Sequence, residues 1–374
     1  MRWHVLLMFL LGLLLASTVH GASLTPVHLP SLVSFLKTPD HLEFCAEPVP
    51  LEIQEVRERM EKELLLSLWD RPQVILWLKR SRRYLPHIEG MLRKNGMPDD
   101  LKYVAIAESA LRPHAGSRKG AIGFWQFMVY TGRKYGLVID ERIDERRNLF
   151  ASTQAAISYF KELHRIFGSW TLAIASFNMG EKGLMAEILE QETADYYRLY
   201  LPLETQRFLF RVISVKLILS DPEKYGFKLA DADQYPPLEY DRVHIDCVQE
   251  IPIRIIAAAA KTHFKAIKDL NPEIRGHYLG AGSHTVLIPQ GASAGFRSRY
   301  LKLVKKFLMT QKEQGYVVKK GDSLSAIAKK FDIPLAVLII WNRLELSRPI
   351  HPGDRLIIYP KRLNSYTENP DSEQ

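Results

Sequence analysis

The feature that most constrains the fold is a long stretch of helical spacing between Leu51 and Tyr225. Apolar residues recur there every three or four positions, and runs of β-branched residues are few. Such a chain must pack helix against helix, because only neighbouring helices can cover so many apolar stripes. We therefore predict a mainly α domain over residues 49–228. Its predicted helices are 55–68, 74–94, 99–111, 125–135, 152–167, 171–177 and 204–219.

A weak internal repeat follows the helical stretch. Residues 256–271 align without gaps on residues 327–342, and each copy has one strand-like run before it and another after it. Each copy therefore predicts a small strand–helix–helix–strand (βααβ) module, the first at 238–291 and the second at 315–361. A basic segment at 298–311 lies between them, and its spacing predicts a helix.

The N-terminus has the layout of a secretory signal peptide. Arg2 precedes a short apolar run at 5–16, and small residues follow it. This run is shorter than the roughly 20 residues of a spanning helix. We expect a signal peptide at 1–21, cleaved after Gly21, with an uncleaved anchor as the alternative. No cysteine marks a lipobox, no later segment is predicted to be an integral membrane span, and the expected location is the periplasm.

Two segments flank the predicted domains. Residues 22–48 contain four prolines and are predicted to be a linker, and the polar residues 362–374 are predicted to be a disordered tail. The chain has two cysteines, Cys45 and Cys247. In an oxidising compartment, a disulfide between them and two buried thiols are both compatible with the sequence.

The charge balance indicates an anionic partner. The formal net charge is +9 at neutral pH, which alone would suit nucleic acid, acidic lipid or a polymer that carries carboxylates. Because the chain is expected to be exported, nucleic acid is not expected to be that partner. Protein partners are not indicated by any feature of the sequence.

One carboxylate lies on an apolar helix face. In the helix predicted at 99–111, helical spacing places Glu108 on the same face as Leu101 and Leu111. Burial penalises the ionised form and raises the pKa of a carboxyl, so a buried glutamic acid can donate a proton near neutral pH. The alternative is a glutamate at the helix end that turns to solvent or pairs with Arg112.

Four short motifs then follow one another in the helical region. They are Glu108 to Leu111 (ESAL), Gly120 to Gln126 (GAIGFWQ), Ser176 to Gly180 (SFNMG) and Leu201 to Phe208 (LPLETQRF). In order and spacing, they resemble the motifs of the family 1 lytic transglycosylases. The resemblance covers about residues 50–220. It implies a lysozyme-like catalytic domain (α+β lysozyme superfamily) in which Glu108 is the sole catalytic acid and base.

The same resemblance implies a substrate cleft. Its implied contacts are Ser109, Gly123, Trp125, Gln126, Phe177, Asn178, Glu204 and Phe208. Phe177 and Phe208 depart from the family pattern, which usually has tyrosine at both positions, so each lacks a hydroxyl that could reach Glu108 or the sugar. Structural roles are the alternative for several of these residues, such as a helix bond for Ser109, core packing for Trp125 and a helix start at Glu204.

The reaction that the resemblance implies requires a single catalytic carboxyl. Ordinary glycosidases use two, and only Glu204 is a candidate for a second one here. The resemblance implies cleavage of the β-1,4 bond between N-acetylmuramic acid and N-acetylglucosamine in peptidoglycan, with 1,6-anhydromuramyl ends. A catalytically silent peptidoglycan-binding scaffold and a hydrolytic muramidase are the alternatives. No cofactor or metal is expected.

A last group of motifs lies in the second βααβ module. The segments 316–318 (YVV), 321–324 (GDSL), 341–342 (WN) and 352–354 (PGD) resemble a LysM module. The resemblance implies a shallow groove for N-acetylglucosamine, with Asp322, Ser323, Leu324, Asn342 and Leu344 as contacts. Asp322 as a helix cap is the alternative. The first copy lacks the GDSL turn, and we interpret it as a degenerate LysM module.

Overall fold

The computed structural model describes residues 41–313, 315–345 and 349–358. The predicted signal peptide and polar tail lie outside these residues. None of the helices in the described part combines the length and the apolar composition needed to cross a bilayer. The molecule is 54% helical, and the predicted class, mainly α with small βααβ modules, is confirmed.

Helices around one hydrophobic core form the first part of the chain. Helix α8 lies at its centre and packs against α1, α3 and α6, because its buried residues point to several sides. The elements are β1 (Glu43–Phe44), β2 (Glu47–Pro48), α1 (Gln54–Trp69), α2 (Arg71–Lys94), α3 (Lys102–Ser109), α4 (Val129–Lys134), α5 (Leu149–Phe167), α6 (Trp170–Met179), α7 (Glu181–Glu190) and α8 (Leu203–Ser220).

Two predicted helices end differently in the structure. The helix predicted at 99–111 begins with a 3₁₀ turn, and α3 stops at Ser109 because Ala110 and Leu111 both have positive φ, at 53° and 56°. The helix predicted at 125–135 is reduced to α4, since the chain before it forms short β-bridges and Gln126 has φ of 49°. Helix α7 was not predicted.

The last part of the predicted linker is packed against the core. Strands β1 and β2 form a hairpin, with Leu42 and Phe44 buried beside it. The backbone N–H of Cys45 donates to Asp100 Oδ2 at 2.7 Å. The last residues of the predicted linker, from Leu42 onward, are therefore part of the packed structure, because alternate apolar side chains fix them on the core.

The disulfide that the sequence allowed is not formed. Cys45 and Cys247 are both free and buried. Cys45 belongs to the core of the helical part, whereas Cys247 belongs to a separate cluster in the next module and lies 3.4 Å from Tyr300 Oη. Because each thiol is buried in a different hydrophobic cluster, the two sulfurs do not meet in this fold.

Two βααβ modules follow, joined by a helix. In the first, β3 pairs antiparallel with β6, and in the second, β7 pairs antiparallel with β8. The elements are β3 (Asp241–Cys247), β4 (Ile251–Pro252), α9 (Ile253–Ala259), α10 (Phe264–Leu270), β5 (Tyr278–Leu279) and β6 (Gly282–Ile288), then α11 (Phe296–Glu313), and then β7 (Gly315–Val317), α12 (Leu324–Lys330), α13 (Leu335–Asn342) and β8 (Arg355–Ile357).

The two modules are closed in the same way by an asparagine at the equivalent position. Asn271 Nδ2 donates to Leu287 O, and Asn271 Oδ1 accepts from Leu287 N, both at 2.8 Å. Asn342 makes the same pair of bonds with the backbone of Ile357 on β8. A side-chain amide that pairs with both backbone groups of a strand residue fixes the helix end against that strand. The two copies of the sequence repeat therefore share the same asparagine bonds between the second helix and the last strand.

The first module is attached to the helical part by backbone pairing. Ile143 and Ile274 form a β-bridge, Asp144 N donates to Glu273 O at 2.9 Å, and Arg275 N donates to Arg142 O at 2.8 Å. These bonds join the loop before α5 to the segment after α10. The same loop carries residues of the site described next.

Candidate active site

Glu108 lies in the last turn of α3, which packs against α2 and α8. The residues before it, Val104 to Ile106, are buried in the core, while Glu108 itself is half-buried. Its carboxylate has no hydrogen-bond or ion-pair partner among the described residues. The left-handed conformation of Ala110 ends the helix directly after it. Glu108 is therefore held at a helix end, with an unpaired carboxyl.

Burial raises the pKa of the Glu108 carboxyl to about 8. Loss of water around the carboxyl disfavours its ionised form, and this effect outweighs the opposite influence of the Arg211 guanidinium. The nearby Glu204 carboxylate raises the pKa further. Glu108 is thus mostly protonated at neutral pH, which is the state of a general acid.

An ion-pair network on α1 and α8 borders this site. Arg211 Nη1 lies 3.0 Å from Glu204 Oε1, and Arg207 Nε lies 2.6 Å from Glu63 Oε1. The Glu63 carboxylate is buried, and Arg211 also approaches it, at 3.9 Å. The Glu204 side chain is 59% exposed. The one sequence candidate for a second catalytic carboxyl is therefore a solvated partner of Arg211.

The loop between α3 and α4 is tied to the helix that carries Glu108. Ser109 Oγ donates to Phe124 O at 2.8 Å. Gln126 Nε2 donates to Ala115 O and Gly123 O, at 3.1 and 3.0 Å. These bonds explain why polar residues stand in an apolar segment, since buried polar groups need partners.

Gly123 permits a close backbone approach in this loop. It has φ of +89°, and a Cβ built there would meet Arg146 O at 1.8 Å. Arg146 is itself fixed by a buried ion pair, with Nε 2.8 Å from Asp144 Oδ1 and Nη2 2.9 Å from Asp144 Oδ2. Its Nη1 also donates to Gly120 O at 3.0 Å. The Asp144–Arg146 pair thus holds the loop between α3 and α4 through hydrogen bonds to its backbone.

Three predicted substrate contacts are enclosed by protein. Trp125 is fully buried, and its indole N–H donates to Thr153 Oγ1 at 3.0 Å. Ser109 and Phe208 are each 2% exposed. These side chains present almost no surface and contribute to packing and loop support, and their contact with substrate stays a prediction.

Phe177 and Asn178 lie at the end of α6. The Phe177 ring stacks on Phe160, with centroids 4.6 Å apart, so it belongs to an aromatic cluster. Asn178 Oδ1 accepts from Thr205 Oγ1 at 2.9 Å. Its amide nitrogen has no partner within the described parts of the chain, and the residue is half-buried. Asn178 is therefore a predicted contact that keeps a free donor.

The structure adds residues that the sequence did not single out. Asp144 and Arg146 belong to a charge-rich stretch, which is usually a solvated face, so the sequence carried no signal of their buried pair, and Arg211 was not singled out by any motif. Thr205 falls within the fourth motif, and that was the available signal for its bond to Asn178.

The predicted groove residues of the second module have bonds within the module. Asp322 Oδ2 accepts from Lys319 N and Tyr316 Oη, and Ser323 Oγ caps α12 by accepting from Ala326 N. Asn342 bonds to the backbone of Ile357 in the closure with β8, and its role as a sugar contact stays a prediction. The remaining predicted contacts, Leu324 and Leu344, are hydrophobic residues packed at the edge of the module core.

Comparison with known proteins matches two segments of the chain to families. Residues 86–199 match the family described as Transglycosylase SLT domain, and residues 316–358 match the LysM domain family. The SLT match contains Glu108, the loop with Gly123, and Asn178, and it ends before Glu204. It includes three of the four motifs on which the resemblance to lytic transglycosylases rests.

Two curated relatives and one solved structure are similar to the chain. Membrane-bound lytic murein transglycosylase D of Escherichia coli K12 is 32% identical over 293 residues, and its counterpart in Escherichia coli O6:H1 gives the same values. The match covers 75% of this chain and 64% of the relative, so this chain spans less than two thirds of that protein. The 70 kDa soluble lytic transglycosylase of Escherichia coli gives a TM-score of 0.34 at 14% identity, covering 53% of this chain and 34% of that one.

Proposed function

Because the chain carries a Transglycosylase SLT domain followed by a LysM domain, we propose that it is a peptidoglycan lytic transglycosylase. The observation that carries this proposal is the state of Glu108. A single unpaired carboxyl, protonated at neutral pH, stands at the end of a buried helix inside the SLT match. That group can supply the proton that departure of a sugar oxygen requires.

We propose the following reaction at the β-1,4 bond between N-acetylmuramic acid and N-acetylglucosamine. Glu108 donates its proton to the glycosidic oxygen, the C1–O bond of the muramyl residue breaks, and the N-acetyl group of that residue stabilises the positive charge. The Glu108 carboxylate then removes the proton of the muramyl C6 hydroxyl. The C6 oxygen bonds to C1, a 1,6-anhydro ring closes, and Glu108 regains its proton. Water is not consumed.

The surroundings of Glu108 favour this route over hydrolysis. An inverting hydrolase holds its two carboxyls about 6.5–9.5 Å apart, with water between them and the sugar. Glu204 is the sequence candidate for the second group, and its carboxylate is exposed and paired with Arg211. Gln126 and Asn178 are amides and cannot serve as a base. A substrate that supplies its own hydroxyl suits the lone carboxyl.

Product analysis tests the proposed reaction. Purified peptidoglycan sacculi are digested with the protein, and the products are analysed by mass spectrometry before and after borohydride reduction. We expect muramyl ends that are one water lighter than hydrolysis products and resistant to reduction. Reducible muramyl ends would identify a muramidase, and an absence of soluble products would identify a silent scaffold.

The pKa of Glu108 predicts the pH dependence of cleavage. Since the protonated form is the active form and burial raises the pKa to about 8, the rate should hold below neutral pH and fall as the pH rises through about 8. The rate on soluble glycan strands is measured from pH 5 to pH 10, with circular dichroism at each pH as the control for folding. A rate that increases between pH 7 and pH 9 would contradict the assignment of Glu108 as the acid.

We also propose that the protein acts in the periplasm and is held on its substrate by the LysM module. The module is tethered to the catalytic part, so binding of one raises the effective concentration of the other on the same polymer. Phe177 and Phe208, whose missing hydroxyls motivated a silent scaffold, pack in the helical core. The silent scaffold stays the alternative that the product analysis tests.

A further inference from the structure

Helix α11 joins the two modules and buries one of its faces. Phe296, Tyr300 and Phe307 belong to the hydrophobic cluster of the first module, where α11 packs on α9. Arg299 turns back to the same module and donates to Ala259 O, Ala292 O and Ala294 O. The inner face of the helix is therefore fully used by the fold.

The opposite face is exposed and basic. We call it the basic face of α11, and its members are Arg297, Ser298, Leu301, Lys302, Lys305, Lys306 and Met309, all exposed. No acidic residue occurs in α11 before Glu313. Arg297, Lys302 and Lys305 have no ion-pair partner within residues 41–313, 315–345 and 349–358. These three side chains thus carry positive charge that the described residues do not neutralise.

Two large apolar side chains interrupt the positive charge. Leu301 is 56% exposed and Met309 is 57% exposed, and both stand among the cations of the basic face. They are separated by eight residues, or about 12 Å along the helix axis. Nothing in the packing requires them there, since the inner face already holds the aromatic residues of the helix.

We propose that the basic face of α11 docks on the surface of an anionic lipid bilayer. Lysine and arginine side chains are attracted to acidic headgroups, and exposed leucine and methionine side chains can enter the boundary between headgroups and acyl chains. The long lysine stems lie along that boundary while their ammonium groups stay in water. The helix lies on the membrane and does not cross it.

The apolar residues favour lipid over a hydrophilic wall polymer. An anionic polysaccharide or peptide would be attracted by the cations alone and would gain little from Leu301 and Met309, whereas a bilayer uses both kinds of side chain. This docking does not depend on the reaction proposed above, because none of its residues lies near Glu108 in the sequence or in the elements that pack on α3.

Vesicle sedimentation with the full chain tests the proposal. The vesicles contain either phosphatidylcholine alone or phosphatidylcholine with 30% phosphatidylglycerol, at about 0.1 M salt. We expect binding to the anionic vesicles only. Each lysine near an acidic surface contributes about a fivefold gain in partition, so Lys302→Gln/Lys305→Gln should lower binding by about 25-fold. Leu301→Ser/Met309→Ser should lower it by roughly tenfold.

A matched control removes the same charge elsewhere. Lys161 and Lys182 are exposed lysines of the helical part, and Lys161→Gln/Lys182→Gln should bind anionic vesicles within about twofold of the unchanged protein. An equal loss in this control would overturn the proposal, since net charge would then explain binding. Retained vesicle binding of the α11 lysine variant, with reduced pelleting on purified sacculi, would overturn it in favour of a wall polymer. Circular dichroism confirms that each variant is folded.

Discussion

Glu108→Gln is expected to lower the rate of glycan cleavage by roughly 10²–10⁴-fold, the usual contribution of a general acid. The amide has nearly the shape of the carboxyl but has no proton to donate to the glycosidic oxygen. Within the part of the chain that the structure describes, the neighbouring Glu204 carboxylate is exposed and paired with Arg211, so it does not replace Glu108. The measurement is the rate of 1,6-anhydro product release from sacculi, compared with the unchanged protein.

The fold should survive this change and gain stability at neutral pH. The pKa of Glu108 is raised from its usual value of 4.5 to about 8 in the folded protein. The folded protein therefore holds a proton that the unfolded chain releases, and the free energy of unfolding falls as the pH rises from about 4.5 to about 8. Glutamine has no such penalty. Thermal unfolding is measured at pH 5 and pH 8. At pH 8, the unfolding temperature of Glu108→Gln should be equal to or higher than that of the unchanged protein.

Glu204→Gln provides the comparison that separates one carboxyl from two. If Glu108 works alone, loss of the exposed Glu204 carboxylate removes an ion pair that is worth about 1 kcal/mol or less, and the rate should fall by less than about tenfold. If Glu204 were the second carboxyl of a hydrolase, both variants would lose activity to a similar degree. That result would contradict the proposed mechanism.

The sequence predicted those parts of the molecule that depend on local periodicity. Helical spacing located α1, α2, α5, α6 and α8 to within a few residues, and the gapless repeat located both βααβ modules, because amphipathic patterns are written in neighbouring residues. Glu108 was found in the same way, as a carboxylate on an apolar face.

Contacts between distant residues were not predictable in this way. Leu42 and Phe44 were assigned to a linker because prolines precede them, and only the three-dimensional fold brings a core to them. Trp125 was predicted to touch sugar, yet its indole bonds to Thr153, 28 positions along the chain. In both cases, the residue type could be read from the sequence, but the residue that it contacts could not.

Backbone conformation was the other unpredictable element. The loop after α3 turns through Ala110, Leu111 and Gln126 with positive φ, although none of them is glycine. Side-chain and backbone hydrogen bonds hold these turns, and their partners come from elsewhere in the fold. A single sequence gives no measure of such support, and this explains why the helix predicted at 125–135 was too long.

The same loop gives the largest expected loss of stability from a single methyl group. Gly123→Ala places a Cβ where Arg146 O already stands, at 1.8 Å, and both Gly123 and Arg146 are buried. We expect the free energy of unfolding to fall by about 3–5 kcal/mol, from the positive φ and from overpacking together. Urea denaturation followed by circular dichroism measures this change.

Gly120→Ala is the matched control, because Gly120 has the same φ of +89° and no atom within 4 Å of its added Cβ. It should lose only about 1–2 kcal/mol, the cost of the left-handed backbone for alanine. The difference between the two variants therefore measures the close approach to Arg146 alone. Because Ser109 Oγ joins this loop to the helix of Glu108 at Phe124 O, Gly123→Ala should also reduce cleavage at temperatures where it remains folded. Equal losses in both variants would mean that Gly123 is required only for its φ, and that the loop can move away from Arg146 without cost.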